Sequence, residues 1–440
     1  MIEINNIFAG STKSEWIDQL TKDLKGQSLD VLQFNDPIEN IDLTAYQHKD
    51  DDHHLLTQLS HYPYDRGFNR ANNSWNNGIQ VFISNENQAN EFALEWLMKG
   101  VNFLLFIPQK ENINWEDVLK NIGLEFIRSH FKVNNPTDIA TLVNLIGDKE
   151  IQISFSAKKQ QVEDQNLIDL LKIKQRPVFC VNAFELHQSG AASYQEIGYA
   201  LNYGHELLVS LMNNGLSIDE AAACIHFQFG IGSKYLIEST KFSVFRALWS
   251  KIIHAYKPIH NCSHRAEITA LTGHVNKSLK DPYTNLLRQT TEALSAVNGG
   301  VNNLLVTPYD QYSNQSSPLA LRMAVNISLI LAEESHLDKV IDPLGGSYVM
   351  DAISTQLSDN SWNFFLELEK LENDTSLSAF LNEQVSQKRN QRIDAVRSGN
   401  EILIGINKFP NPETSNLNWK NIPEAKETGL ATLILENEIV

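Results

Sequence analysis

The chain has 440 residues, 42% of them hydrophobic, with 36 basic and 53 acidic side chains and a net charge of −17. That apolar content supports a sizeable core and excludes a disordered chain, while the acidic balance argues against nucleic acid or anionic membranes as partners. Three cysteines without a C-x-x-C, no apolar run of membrane-spanning length, and an N-terminus lacking a basic n-region and apolar h-region point to a reduced, cytoplasmic protein.

Residues 1–77 are expected to form an N-terminal arm rather than a compact domain. "TKSEWIDQLTKDLKG" predicts an amphipathic helix, with Trp16, Leu20 and Leu24 recurring every four residues. Thr12 and Glu15 have the spacing of a capping box, and Gly26 suits the helix stop. One helix cannot bury its own stripe, so the arm must lie on the main body or on a partner. The polar run "QHKDDDHHLLTQ" that follows predicts a solvated loop, not a metal-ligand set.

From residue 78 to 335, short β-rich runs alternate with helical patterns. Eight are strand-like: "GIQVFIS", "VNFLLFI", "EFIRSHF", "EIQISFS", "PVFCVNA", "IHFQFG", "AEITALTG" and "NNLLVTP". Helical segments such as "NQANEFALEWLMKG" and "DPYTNLLRQTTEALSAV" separate most of them. Eight parallel strands with crossover helices predict an α/β fold of the (β/α)8 TIM-barrel class. No strand-to-helix glycine fingerprint favours an open doubly wound sheet. Residues 336–440 are expected to form a C-terminal helical extension. It begins at "DPLGGSYVM", continues through two helices, the second striped by Leu377, Leu381, Val385, Ile393 and Val396, and then gives a short strand in "EILIGINKFPNPET".

Candidate chemistry gathers at the strand ends. In "VFCVNAFELHQSGAASYQEIGYAL" an apolar strand delivers Glu185, His187 and Gln188 to the barrel mouth, where active sites usually sit. Glu185 could act as a general base, with Asp310 after the eighth strand as its acid partner. Gly230 and Gly232 in "FGIGSKYLIES" either cradle a phosphate or meet a packing demand. His260, Cys262 and His264 alternate in "HNCSHR", but no fourth ligand is near and no metal site is expected. "DPLGGSY" predicts turn punctuation.

Four stretches together resemble the adenosylcobalamin-dependent methylmalonyl-CoA mutase family: "FELHQSGAASYQEIGYAL", "FGIGSKYLIESTKFSVFRALWSKI", "NKSLKDPYTNLLRQTTEALSAVNGG" and "LAEESHLDKVIDPLGGSYVM". "GINKF" and "EWIDQLTKDLKG" extend the likeness over most of the chain. The resemblance implies an eight-stranded barrel that threads the tail of an acyl-CoA along its axis. It also implies a Tyr-His pair after strand five, and alignment on Gly190-Ala191 puts Phe184 and Glu185 at those positions. Phe lacks the hydroxyl, and Glu sets an anion where a donor should polarise a thioester carbonyl.

Two further departures concern ligands. The segment "ISFSAKKQQVEDQNLIDLLKIKQRP" has no counterpart of the family's Gln-Asn-Asp and Arg-Asn-Thr runs, whose Arg holds the substrate carboxylate. The family binds cobalamin through a C-terminal domain with Asp-x-His-x-x-Gly. The triplets Asp51-x-His53 and Asp52-x-His54 lack that glycine, and the chain stops at Val440, too soon for such a domain.

Together these departures imply the family's small, non-catalytic subunit, with no catalytic residue and no cofactor of its own. It is expected to work in a heterodimer beside a catalytic subunit that carries adenosylcobalamin, or to self-associate when expressed alone, with acyl-CoA as a candidate ligand. The alternative is an active acyl-CoA mutase barrel served by a separately encoded cobalamin-binding subunit. A hydrolase built on Glu185 and Asp310 is the third possibility.

Overall fold

The computed structural model describes residues 11–48, 50–51, 72–133, 136–146, 152–156, 168–169, 179–314, 317–371, 373–412, 417–420 and 428–439. All eight expected strands are present: β1 (Asn76–Ile83), β2 (Phe103–Pro108), β3 (Arg128–Lys132), β4 (Gln152–Ser156), β5 (Phe179–Asn182), β6 (Ile225–Ile231), β7 (Ile268–Thr272) and β8 (Asn303–Leu305). They form one parallel sheet in the order β4-β3-β2-β1-β8-β7-β6-β5. That is the cyclic order of a (β/α)8 barrel cut between β4 and β5, two strands that lie beside each other without a hydrogen-bonded ladder among the described residues. The sheet is therefore TIM-barrel-like, with a seam at β4/β5.

Side-chain alternation sorts each strand into an outer and an inner face. On β6, Phe227 and Phe229 face outward and meet Phe242, Phe245 and Trp249 of the helix Tyr235–Ala255, with ring centroids 4.5–6.1 Å apart. All five rings are buried, which explains why this 21-residue helix needs no strong polar face. The intervening His226, Gln228 and Gly230 are left to the barrel interior.

In the arm, the helix Lys13–Asp23 carries the expected capping box between Thr12 and Glu15. None of its residues is fully buried; Trp16 stacks on Tyr46 with centroids 4.6 Å apart. The following segment belongs to the body of the protein. Strands Phe34–Asp36 and Ile41–Leu43 pair as a hairpin, bury Ile38, Ile41 and Leu43, and bond through Asp42 to Gln356 on the helix Tyr348–Leu368. Buried Glu39 in the hairpin turn accepts from Ser193 N at 2.7 Å and from Arg392 Nη2 at 2.9 Å.

The extension contains the two expected helices, Tyr348–Leu368 and Asp374–Ser398, the second ended by Gly399 at φ 79°. Leu381, Val385, Ile393 and Val396 are buried as their spacing predicts. The strand expected in "EILIGINKFPNPET" does not form. Gly405, at φ 82°, turns the chain so that Ile404 bridges only to Lys408, and Asn407 Nδ2 bonds Val396 O and Glu401 O in place of a ladder.

Candidate functional site

Beyond β5 the chain turns at once into a one-turn helix, Phe184–Gln188, which sets the mouth. Phe184 points down the barrel and packs on Phe103, Leu105, Leu271 and Leu305, buried side chains from β2, β7 and β8. Gly78 on β1 makes room for this plug, since a Cβ there would lie 2.4 Å from Phe103 Cδ1. At the opposite end, Arg128 Nε donates to Glu267 at 2.8 Å, and Asn303 joins Glu267, Thr269 and Asn76. Among the described residues, the interior thus carries an apolar layer with a polar layer at the strand starts.

Glu185 turns away from the axis. Its carboxylate accepts from Asn182 Nδ2 at 3.3 Å and from Thr428 N at 3.2 Å. Asp310 is buried and accepts from Ser317 N at 2.8 Å; burial raises its pKa above the ordinary aspartate range. Each carboxyl is engaged by its own neighbours, and no bond joins the two.

The sequence singled out His187 but not its partners. His187 Nδ1 lies 3.0 Å from Glu196 Oε1. Lys241, fully buried, donates to Glu196 Oε2 at 3.2 Å and Gly230 O at 2.7 Å, and sits 2.6 Å from Glu238 Oε2. Burial pushes Glu196 up, but Lys241 and then His187 outweigh it, so the group lies below the usual carboxyl range. For Glu238, burial wins and the pKa is raised.

The same network accounts for Gly230 and Gly232. A Cβ on Gly230 would fall 2.0 Å from His187 Cγ, and one on Gly232 would fall 2.7 Å from Glu238 Oε1. An imidazole and a carboxylate occupy the space that a phosphate would need, so packing explains these glycines. Gln188 completes the mouth: its Nε2 lies 2.8 Å from His274 Nδ1, and its Oε1 accepts from His274 N at 3.1 Å. Burial holds His274 down to about 3 and pushes Tyr312, bonded to Gln188, up to about 12.

Residues far apart in sequence close over this mouth. Leu433 N donates to Gln188 O at 2.7 Å, Leu435 N to Val275 O, and Lys420 N to Tyr312 O. Buried Glu436 accepts from Ser278 Oγ, Leu279 N, Lys280 N and Trp419 Nε1. The C-terminal segment thereby links the loops after β5, β7 and β8.

Other candidates take simpler places. Asn261–His264 forms a 3₁₀ turn anchored by Asp219, which accepts from Ile259 N, His260 N and Ser263 Oγ. The alternation of His260, Cys262 and His264 therefore does not put them on one strand face. In "DPLGGSY", Asp342 and Gly346 have positive φ, as turn punctuation requires. Asp51 accepts from Lys13 and His48, while Asp52, His53 and His54 lie outside the described residues, as do the residues between Ser156 and Phe179 apart from Ile168 and Asp169.

One cluster went unseen in the sequence. His130 on β3, Cys180 on β5 and His226 on β6 are all buried, and their ligating atoms lie within 4.8 Å of one another. Burial, reinforced by His226, Arg128 and Lys132, keeps His130 well below the ordinary histidine range. No sequence spacing signals this trio, because only the barrel's register brings Cys180 opposite His226.

A family model described as methylmalonyl-CoA mutase matches residues 150–433. A methylmalonyl-CoA mutase small subunit from Porphyromonas gingivalis is 33% identical over 436 residues, covering 92% of this chain and 70% of that protein. A methylmalonyl-CoA mutase from Rhizobium meliloti is 30% identical over 54% of this chain and 34% of its own length. A methylmalonyl-CoA mutase small subunit from Streptomyces virginiae is 31% identical over 52% of this chain and 37% of its own. The chain thus spans about a third of the length of the latter two. Among the described residues, no helix is long and apolar enough to cross a membrane.

Proposed function

Because this chain belongs to the methylmalonyl-CoA mutase family, we propose that it is the small, non-catalytic subunit of an adenosylcobalamin-dependent mutase. Its catalytic partner would interconvert (R)-methylmalonyl-CoA and succinyl-CoA. The observation that carries this reading is the apolar cluster inside the barrel: Phe184, which we align with the family's Tyr, packs on Phe103, Leu105, Leu271 and Leu305 where the acyl-CoA tail would run. Glu185, at the family's His position, is held by Asn182 and Thr428 and offers a carboxylate, not a hydrogen-bond donor, to an acyl carbonyl.

Adenosylcobalamin does not fit this mouth. The loops that would face it are bonded to residues 420 and 428–436 of the same chain, so we assign the cofactor to the partner and derive no step through it here. The purified chain, given adenosylcobalamin and (R)-methylmalonyl-CoA, is expected to show no succinyl-CoA by chromatography, and a catalytic subunit added to it should isomerise the substrate. Turnover by this chain alone overturns the proposal. Turnover only with a separately encoded cobalamin-binding protein that has no barrel would instead establish the active-barrel alternative.

The arm supplies a second test. Trp16, Leu20 and Leu24 remain only half-buried on this chain, an apolar stripe with room for a neighbour. Trp16→Asp is expected to weaken association with the catalytic subunit by about 2 kcal/mol, roughly thirtyfold in Kd, without unfolding the barrel. Sedimentation of the mixed subunits beside a thermal melt of the variant measures both. Unchanged association with a lowered melting temperature would mean that the stripe serves only its own chain.

A further inference from the structure

We propose that His130, Cys180 and His226 bind one zinc ion inside the barrel, as a clasp across the β4/β5 seam. The three residues come from strands on both sides of that seam: His130 from β3, Cys180 from β5 and His226 from β6. Hydrogen bonds tie β3 to β4 and β5 to β6, but none among the described residues ties β4 to β5. An ion held by all three would join the two ends of the sheet where the backbone ladder does not.

The donor set selects the metal. Two imidazole nitrogens and one thiolate sulfur form a borderline-soft set that suits zinc and disfavours magnesium or calcium, which take oxygen ligands. The spacing is close to what the ion needs. Zinc bonds of about 2.0–2.3 Å in a tetrahedron put ligand atoms about 3.4–3.7 Å apart, and the present separations reach no more than 4.8 Å. Side-chain rotation of about an ångström closes the difference, and the His130 and His226 rings already meet edge to face at 4.7 Å.

The charges around the site act in both directions. Binding displaces the Cys180 thiol proton to solvent, so zinc and thiolate together add one positive charge. Glu267, which interacts with His226, offsets part of that charge, while its partner Arg128 at 2.8 Å and Lys132, both acting on His130, oppose it. Three protein ligands leave the fourth tetrahedral position to a water or a small anion. The site is independent of the mouth, since none of its residues belongs to the Lys241 network or to the Phe184 plug.

The test uses the full chain, stripped with a chelator and titrated with Co2+ and then with Zn2+. One equivalent of Co2+ should produce a thiolate-to-cobalt charge-transfer band, which zinc displaces, and zinc should raise the melting temperature of the stripped protein. Cys180→Ser and His226→Gln should each abolish the band and the zinc-induced shift, while Cys262→Ser, in an exposed turn, leaves both intact. Should Cys180→Ser fail to fold, His226→Gln and the wild-type titration still decide. No stoichiometric uptake by the wild type, or a band lost with Cys262→Ser and retained with His226→Gln, overturns the proposal.

Discussion

Lys241→Met is expected to destabilise the protein by about 3–5 kcal/mol, the usual cost of breaking a buried ion pair by removing one partner. Lys241 is fully buried, and its ammonium lies within bonding distance of Glu196, Glu238 and the Gly230 carbonyl. Methionine keeps the packing of the stem but leaves two enclosed carboxyls facing only His187. The sign of the pH dependence follows. Without Lys241, burial raises both folded-state carboxyl pKa values above their unfolded values. Each raised group retains its stability below the unfolded pKa and loses it as pH rises through the folded pKa. The deficit should therefore be smaller near pH 5 than near pH 8 in denaturant melts. Adding Glu238→Gln to Lys241→Met should recover part of the loss, because one buried charge is then removed. Equal stability of Lys241→Met and wild type at pH 8 would rule out this account of the network.

Glu436→Ala is expected to cost about 2–4 kcal/mol and to loosen the closure over the mouth. This carboxylate is 3% exposed and collects the Ser278 hydroxyl, Leu279 N at 3.0 Å, Lys280 N at 3.2 Å and Trp419 Nε1 at 2.8 Å. Alanine leaves two backbone donors and an indole N–H without their charged acceptor. Hydrogen exchange on the full chain should show faster exchange at Leu279 and Lys280 and in residues 428–439, with the β6 core unchanged. Unaltered exchange at Leu279 and Lys280 would show that other bonds hold the loop. The same loop carries Lys277, which is buried on Glu292 at 2.6 Å and 2.7 Å. The first half of the "NKSLKDPY" run, a main carrier of the family resemblance, is thus buried from Asn276 to Leu279, and its bonds to Glu292 and Glu436 are structural.

Local chemistry by itself determined the strands, the long helices and their caps. Each barrel strand is a short β-rich run whose apolar outer face must meet a helix, as Phe227 and Phe229 meet Phe245, and that requirement is written in neighbouring residues. Thr12 and Glu15 act within one helical turn, so their spacing sufficed. "GINKF" failed as a strand because a strand needs a partner edge, and Gly405 turns this one back on itself. The hairpin at 34–43 was missed for a related reason: strands of three residues carry little periodicity, and their stability comes from burying Ile38 and Ile41 against the body of the chain.

Only the tertiary structure decided what fills the barrel and what closes it. Whether Phe103, Leu105, Leu271 and Leu305 plug the axis depends on which alternation faces inward, and a strand buried on both sides reads as uniformly apolar. The partners of His187 come from two helices, with Glu196 nine residues on and Lys241 beyond the next strand. His130, Cys180 and His226 are separated by 50 and 46 positions in the chain, and parallel register with sheet closure alone makes them neighbours. Spacing along the chain carries the information for contacts within a helix or strand, whereas a barrel's interior is set by eight strands at once, and no local segment encodes that sum.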